Sequence, residues 1–147
     1  MFVYIPDLCR NILLPLYGTA VQAGFPSPAE DYIEGKLDLN ELLINRAAAT
    51  FYVRAIGDSM IGAGIYPNDL LVVDRSLPAI HGAIIIAMVN GELTIKRLHK
   101  RLGETRLLAE NPAYEPIEIS GDMELWYWGV VTAAIHQFDT PKGKRRR

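Results

Sequence analysis

A serine in a tight turn and a lysine in a strand are the residues of this chain best suited to chemistry. Ser59 lies in the motif GDSM (residues 57–60), and Lys96 lies in the motif TIKR (residues 94–97). A serine hydroxyl becomes a nucleophile only when a base removes its proton, and a lysine amine can do so when burial lowers its pKa. Ser–Lys is a known variant of the serine-hydrolase arrangement. The two motifs therefore predict a nucleophile, Ser59, and a general base, Lys96.

The turn around Ser59 also offers backbone donors. Gly57 permits a tight turn after an apolar strand, and that turn can aim the backbone N–H groups of Asp58 and Ser59 at one point, as an oxyanion hole. Met60 is expected to pack beneath the turn. The motif alone is not specific, because Gly-Asp-Ser turns are common and a lysine in a strand is often a surface residue. A structural role for the serine and the lysine stays open at this point.

Other reactive side chains give weaker signals. None of the histidines (His81, His99 and His136) lies in a recognised catalytic context. Cys9 is the only cysteine, so no intramolecular disulfide can form, and packing in a reducing compartment is its ordinary role. No residue pattern indicates a cofactor or a metal, and neither is expected.

The composition is that of one globular domain with a modest appendage, since half of the 147 residues are hydrophobic. The net charge is −2, but positive charge is concentrated at the C-terminus. The cationic residues there are Lys142, Lys144, Arg145, Arg146 and Arg147. Such a tail can bind phosphate, although a solvated disordered end is more common, so direct DNA contact stays open. The longest apolar run, Ala83–Val89, is far shorter than the about 20 residues of a transmembrane helix, and no membrane partner is expected.

Strand signals dominate the chain from about residue 50 to residue 136. The predicted strands are Thr50–Ile56, Leu70–Asp74, Ala83–Val89, Glu92–Leu98, Thr105–Ala109, Leu125–Ile135 and, more weakly, Ile117–Ile119. Asn90 and Gly91 both tolerate positive φ, which predicts a two-residue type I′ hairpin between the third and fourth of these runs. Gly129 is expected to bend the long last strand. The predicted fold class is mainly β, a curled antiparallel β domain.

Residues 1–39 have a different texture, because prolines and glycines interrupt them and no long regular element fits. They are expected to form a flexible, extended arm that contains a bond between two small residues, Ala23-Gly24. Asp38 and Glu41 then form a capping-box pattern that predicts a short helix, Asn40–Arg46. The predicted organisation is an arm (1–39), a β peptidase-like domain (40–138) and a basic disordered tail (139–147).

Several motifs together carry a resemblance to a known family. In chain order they are FPSPA (25–29), LDLN (37–40), AT (49–50), GDSM (57–60), DLLVVD (69–74) and TIKR (94–97). With them the chain, from about residue 24 to residue 131, resembles the UmuD-like translesion mutagenesis proteins within the LexA-type self-cleaving peptidases. The resemblance implies a β domain of the LexA/signal-peptidase type, with Ser59 as nucleophile and Lys96 as general base. It also implies that the protein cleaves its own Ala23-Gly24 bond.

The same resemblance implies a biological setting. The protein would be a cytoplasmic homodimer whose slow self-cleavage is stimulated by RecA filaments on single-stranded DNA, in the SOS response to DNA damage. Loss of residues 1–23 would give the form that joins a UmuC-type translesion polymerase. The aromatic run Trp126–Trp128 is expected to pack in the core and the dimer interface, with a polymerase contact as the alternative. The basic tail is not part of the family pattern.

Three alternatives belong to other classes. A transcriptional regulator of the LexA or phage-repressor type shares the peptidase domain, but residues 1–23 are too few for a three-helix DNA-binding unit before the cleavage site. A signal-peptidase-like enzyme acting on other proteins would need a membrane anchor or a lipid-contacting surface. A non-catalytic binding module would have no need for the serine, the lysine and the Ala-Gly bond together.

Overall fold

The computed structural model describes residues 11–18 and 33–139 of the chain. The chain divides into two compact units, Met1–Asn45 and Arg46–Arg147. The Ala23-Gly24 bond and the basic tail lie outside the described residues. What concerns them therefore stays a prediction, and so does the division into an arm, a β domain and a tail.

The first unit contains a small sheet that the sequence pattern does not predict. Strand β1 (Leu14–Tyr17) pairs antiparallel with β2 (Ile33–Leu37), and Leu14 lies opposite Leu37. Pro15 argues against a strand in the sequence, because proline cannot donate a hydrogen bond to a neighbouring strand. On an edge strand that donor is not required. Both strands of a two-stranded sheet are edges, which explains why the proline is tolerated here.

Helix α1 (Leu39–Leu43) is capped by Asp38, as the pattern predicts, and begins one residue before the predicted Asn40. The side chain of Asp38 accepts a hydrogen bond of 2.9 Å from the backbone N–H of Asn40, one of the free donors of the first turn. The helix ends before the predicted Arg46, because Ile44 already has an extended backbone (φ −117°, ψ 101°). None of its residues is buried, and a short helix without a packed face has little to extend it. No helix in the described part of the chain is long and apolar enough to cross a membrane.

The second unit is built on a seven-stranded sheet in which all neighbouring strands are antiparallel. Its strands are β3 (Thr50–Arg54), β4 (Leu70–Asp74), β5 (Ile84–Val89), β6 (Glu92–Arg101), β7 (Glu104–Leu108), β8 (Ile117–Ile119) and β9 (Leu125–Ile135). Their order across the sheet is β3-β4-β9-β5-β6-β7-β8. The prediction of a mainly β, antiparallel fold is confirmed.

The predicted hairpin between β5 and β6 is present. Asn90 and Gly91 both have positive φ, 49° and 84°, as a type I′ turn requires. The strands pair from Val89 opposite Glu92 onward. This hairpin fixes the register of β6 and therefore the position of the lysine that it carries.

Strand β6 is longer than predicted, because a second hairpin joins it to β7. It continues past Leu98 to Arg101, and the turn that follows consists of Leu102 and Gly103, both with positive φ (52° and 75°). Leucine rarely adopts a positive φ. The residue pattern therefore does not predict this turn.

Two clusters of buried apolar side chains cover the central strands. One contains Ala55, Met60, Ile65, Leu71, Val73 and Ile86, and the other contains Ile85, Ala87, Leu98 and Leu107. Strand β5 contributes to both clusters, as expected of a central strand covered on its two faces. Met60 belongs to the first cluster, so it packs into the core directly beside the candidate nucleophile, as predicted.

Gly129 of β9 packs directly against β4. A Cβ atom at this position would lie 2.6 Å from Val73 Cγ1 and 3.2 Å from the carbonyl oxygen of Asp74, so no side chain fits without displacing its neighbours. The irregularity of β9 against β5 falls at Trp128, one residue before the glycine. Gly129 is thus required for close packing, and the bulge beside it bends the strand.

We expect Gly129→Ala to reduce the free energy of unfolding by about 1–3 kcal/mol, because the added methyl group overpacks the β4–β9 contact. Urea denaturation of the purified protein measures this change. Gly121→Ala is the matched control, since a Cβ atom there would have no neighbour within 4 Å. If the two variants are equally stable, steric exclusion at Gly129 is refuted.

Candidate active site

Ser59 lies in the turn that follows β3. Gly57 adopts a φ of 82°, a conformation that strains other residues, and the chain bends there just before the serine. A short 3₁₀ turn, Ile61–Ala63, comes after it. Between them Met60 is buried in the core, with 3% of its surface exposed. The half-buried Ser59 is therefore held between a glycine turn and a core anchor.

Lys96 extends from β6 toward this turn. Its Nζ atom donates a hydrogen bond to Ser59 Oγ at 3.1 Å and another to the carbonyl oxygen of Ile95 at 3.1 Å. In the antiparallel pair of β5 and β6, the backbone of Lys96 lies opposite Ile85. The tertiary fold thus brings the two residues predicted from the sequence into direct contact.

Burial governs the charge of Lys96. The residue is 8% exposed, and loss of hydration lowers the pKa of its amine below the usual range of lysine. None of the ion pairs found among residues 11–18 and 33–139 involves Lys96, so no paired carboxylate offsets this effect. A neutral amine at hydrogen-bond distance from a serine hydroxyl can accept its proton.

Ser59 and Lys96 line a cleft of about 300 Å3. Its lining includes residues 53–57, which span the end of β3 and the loop after it, and residues 93–96 of β6. The other lining residues are Met60, Ile65, Ile86 and Trp128. Because most of these side chains are apolar, the cleft suits a short uncharged stretch of polypeptide.

The backbone of the serine turn contacts a segment that the sequence pattern does not single out. The N–H of Glu110 donates to the carbonyl oxygen of Ser59 at 2.9 Å, and the side chain of Asn111 donates to the carbonyl oxygen of Asp58 at 3.0 Å. No hydrogen bond among the described residues uses the N–H groups of Asp58 and Ser59. Within this part of the chain both N–H groups are available for the predicted oxyanion hole. The Asn-Pro pair at 111–112 signals a turn, but not which element it will contact.

None of the three histidines, all of which the structure describes, lines the cleft that contains Ser59. The rings of His81 and His99 are 5.1 Å apart, and His136 Nδ1 contacts the buried Asp69 at 2.5 Å. Among the described side chains, the basic group placed on the serine hydroxyl is therefore the lysine amine.

The aromatic run at the start of β9 divides between core and surface. Trp128 packs against the first core cluster, and its ring meets that of Phe51 edge to face with the ring centroids 6.4 Å apart. The predicted core role is therefore confirmed for Trp128. Trp126 is 65% exposed, so core packing is wrong for it. Trp126 and Tyr127 line a second cleft, of about 550 Å3, with Arg75. Their role in a dimer interface stays a prediction.

Comparison with known proteins agrees with this geometry. A family model described as Peptidase S24-like matches residues 15–132. Protein ImpA of Salmonella typhimurium is 48% identical over 129 residues, which cover 84% of this chain and 83% of ImpA. Protein SamA of Salmonella typhimurium is 50% identical over 123 residues, covering 84% and 85%. LexA repressor 2 of Geobacter sulfurreducens is 36% identical over 130 residues, covering 88% of this chain and 63% of the repressor.

The chain belongs to the Peptidase S24-like family. The resemblance to the LexA-type peptidases and their UmuD-like mutagenesis branch is thereby confirmed. The matched range includes both Ser59 and Lys96 as well as the Ala23-Gly24 bond.

Proposed function

We propose that this protein is a self-cleaving Ser–Lys peptidase and that it regulates an error-prone translesion DNA polymerase in the SOS response. Ser59 is the nucleophile, Lys96 is the general base, and the Ala23-Gly24 bond is the substrate. The observation that carries the proposal is the 3.1 Å contact between Lys96 Nζ and Ser59 Oγ inside a mostly apolar cleft.

The chemistry follows from the two side chains. The neutral amine of Lys96 takes the proton from Ser59 as Oγ attacks the carbonyl carbon of Ala23. The N–H groups of Asp58 and Ser59 stabilise the negative oxygen of the tetrahedral intermediate. Lys96 then delivers the proton to the nitrogen of Gly24, the C–N bond breaks, and an ester remains on Ser59. A water molecule, deprotonated by Lys96, hydrolyses this ester and restores the serine.

The edges of the sheet support binding of an extended peptide at the cleft. Strand β3 is at the edge of the sheet, and β7 pairs with β6 only from Arg97 onward. Residues 92–95 of β6 therefore keep one backbone edge that no described strand occupies. A substrate segment can add to such an edge as a strand. Alanine at position 23 fits a shallow pocket, and glycine at position 24 lets the backbone turn without steric hindrance.

The test is the intact mass of the purified wild-type protein during incubation over a range of pH. We expect a product that lacks residues 1–23, formed at a rate that rises with pH, because the base form of Lys96 is populated above its pKa. Since burial lowers that pKa, the midpoint of the rise should lie below the usual lysine value of about 10.4. A rate that does not change between neutral and strongly alkaline pH would remove lysine as the base.

A parallel incubation at neutral pH contains RecA filaments on single-stranded DNA. We expect the filaments to accelerate formation of the same product, in keeping with a cytoplasmic regulator of the SOS response. The trimmed protein, as a homodimer, would then bind a UmuC-type polymerase, which size-exclusion chromatography of the mixture detects. Wild-type protein that stays uncut under both conditions would overturn the peptidase proposal and favour a binding module with a dormant site.

A further inference from the structure

The segment between β7 and β8, residues 110–114, contacts the serine turn along its backbone; we call this segment the clasp. The N–H of Glu110 donates to the carbonyl oxygen of Ser59 at 2.9 Å, and the carbonyl oxygen of Glu110 accepts from the N–H of Gly62 at 2.8 Å. A Cβ atom on Gly62 would lie 2.6 Å from that carbonyl oxygen. The clasp thus forms hydrogen bonds with the chain on both sides of Met60 and leaves no space for a side chain at Gly62.

The clasp also contacts the residue before the nucleophile. Asn111 Nδ2 donates to the carbonyl oxygen of Asp58 at 3.0 Å, and the hydroxyl of Tyr114 donates to the Asp58 carboxylate. This hydrogen bond to a carboxylate raises the pKa of Tyr114, so the hydroxyl keeps its proton to higher pH than an isolated tyrosine.

An ion pair connects the clasp to the strand that carries the base. Arg97 follows Lys96 directly on β6, and its Nε donates to Glu110 Oε1. The same guanidinium donates through Nη1 to the carbonyl oxygen of Gly82 at 2.7 Å, which limits its freedom to move. Consecutive residues of β6 thus reach Ser59 by two routes. Lys96 donates a hydrogen bond directly to the Ser59 hydroxyl. Arg97 holds the backbone of Ser59 through Glu110.

We propose that Glu110 and Tyr114 are positioning residues for self-cleavage, which hold the Ser59 hydroxyl at the Lys96 amine through the backbone of the serine turn. The inference rests on the proposed peptidase function. Neither side chain contacts the hydroxyl or the amine, so each acts only through the turn. Displacing reacting groups by about 1 Å can reduce a rate by about 100-fold. The clasp prevents such a displacement.

Two variants test this role in the full-length chain. Glu110→Ala removes the carboxylate that Arg97 holds, and Tyr114→Phe removes only the hydroxyl that bonds Asp58. We expect each to reduce the maximal rate of self-cleavage by about 10-fold or more, with an unchanged pH midpoint. Glu110→Gln retains an oxygen that accepts from Arg97 Nε, and it should recover most of the rate. Tyr114 is exposed, so Tyr114→Phe should fold even if Glu110→Ala does not.

Matched controls separate positioning from general stability. Glu118→Ala removes another arginine–glutamate pair of the same sheet, Arg106 Nε to Glu118 Oε1 at 2.6 Å. Tyr66→Phe removes the hydroxyl of a tyrosine that is as exposed as Tyr114 and does not line the cleft that contains Ser59. Both should cleave at the wild-type rate. Melting temperatures of all variants show whether a loss of rate follows a loss of fold.

A fluorophosphonate probe reports the reactivity of Ser59 without the arm, because the probe phosphonylates an activated serine with loss of fluoride. Glu110→Ala and Tyr114→Phe should react more slowly than the wild type, in parallel with their self-cleavage. Wild-type rates in both variants, or losses that follow melting temperature or a displaced pH midpoint, would overturn the positioning role. If the wild type reacts with the probe but does not cut itself, the peptidase proposal fails. The probe rates of the two variants then decide by themselves whether Glu110 and Tyr114 position Ser59.

Discussion

Replacing Ser59 with alanine is expected to abolish self-cleavage while leaving the fold intact. The change removes the attacking oxygen, and loss of a covalent nucleophile typically costs at least about 10³-fold in rate. The fold should survive because Lys96 Nζ keeps its bond to the carbonyl oxygen of Ile95 and the turn keeps its backbone bonds to Glu110. Intact mass after incubation at alkaline pH, and with RecA filaments, measures the result.

Ser120→Ala is the control for that experiment, since Ser120 is exposed and lies in the loop before β9. It should cut itself like the wild type and lose residues 1–23. Melting temperature and size-exclusion chromatography should give the same values for the Ser59 variant and the wild type. Cleavage of the Ser59→Ala protein at the wild-type rate would show that another residue is the nucleophile.

Replacing Lys96 is expected to have an equally large effect. In Lys96→Arg the guanidinium stays protonated at any working pH and cannot accept the serine proton. Because an arginine is larger and Lys96 is buried, Lys96→Met is the necessary companion, with a similar length and no basic group. Both variants should lose at least about 10³-fold in rate, and raising the pH should not restore it.

Lys100→Arg, an exposed position of the same strand, controls for the change of side chain and should cleave normally. Stability gives a second check. Since folding lowers the pKa of Lys96, the buried amine destabilises the folded state at neutral pH, and the methionine variant should be at least as stable as the wild type. A Lys96→Met protein that cleaves at a near-normal rate would assign proton transfer to another group.

Local signals predicted those parts of the fold that depend on neighbouring residues. Asn90 and Gly91 fold β5 onto β6 because both tolerate positive φ, and Asp38 begins α1 because its side chain accepts from the first turn. The prediction was incomplete where pairing with another strand determines whether a strand forms and where it ends. Strand β1 contains Pro15 and exists only because β2 pairs with it, and β6 extends to Arg101 because β7 lies beside it.

The same distinction applies to the site. The sequence by itself determined which groups are available, a serine after a glycine turn and a lysine in an apolar strand, since chemistry belongs to residue types. Only the tertiary structure decided that Lys96 Nζ lies 3.1 Å from Ser59 Oγ and is buried enough for its pKa to fall. It alone brought Glu110 to the serine turn. Hydrogen bonds and desolvation depend on distances across the sheet, and no pattern along the chain specifies those distances.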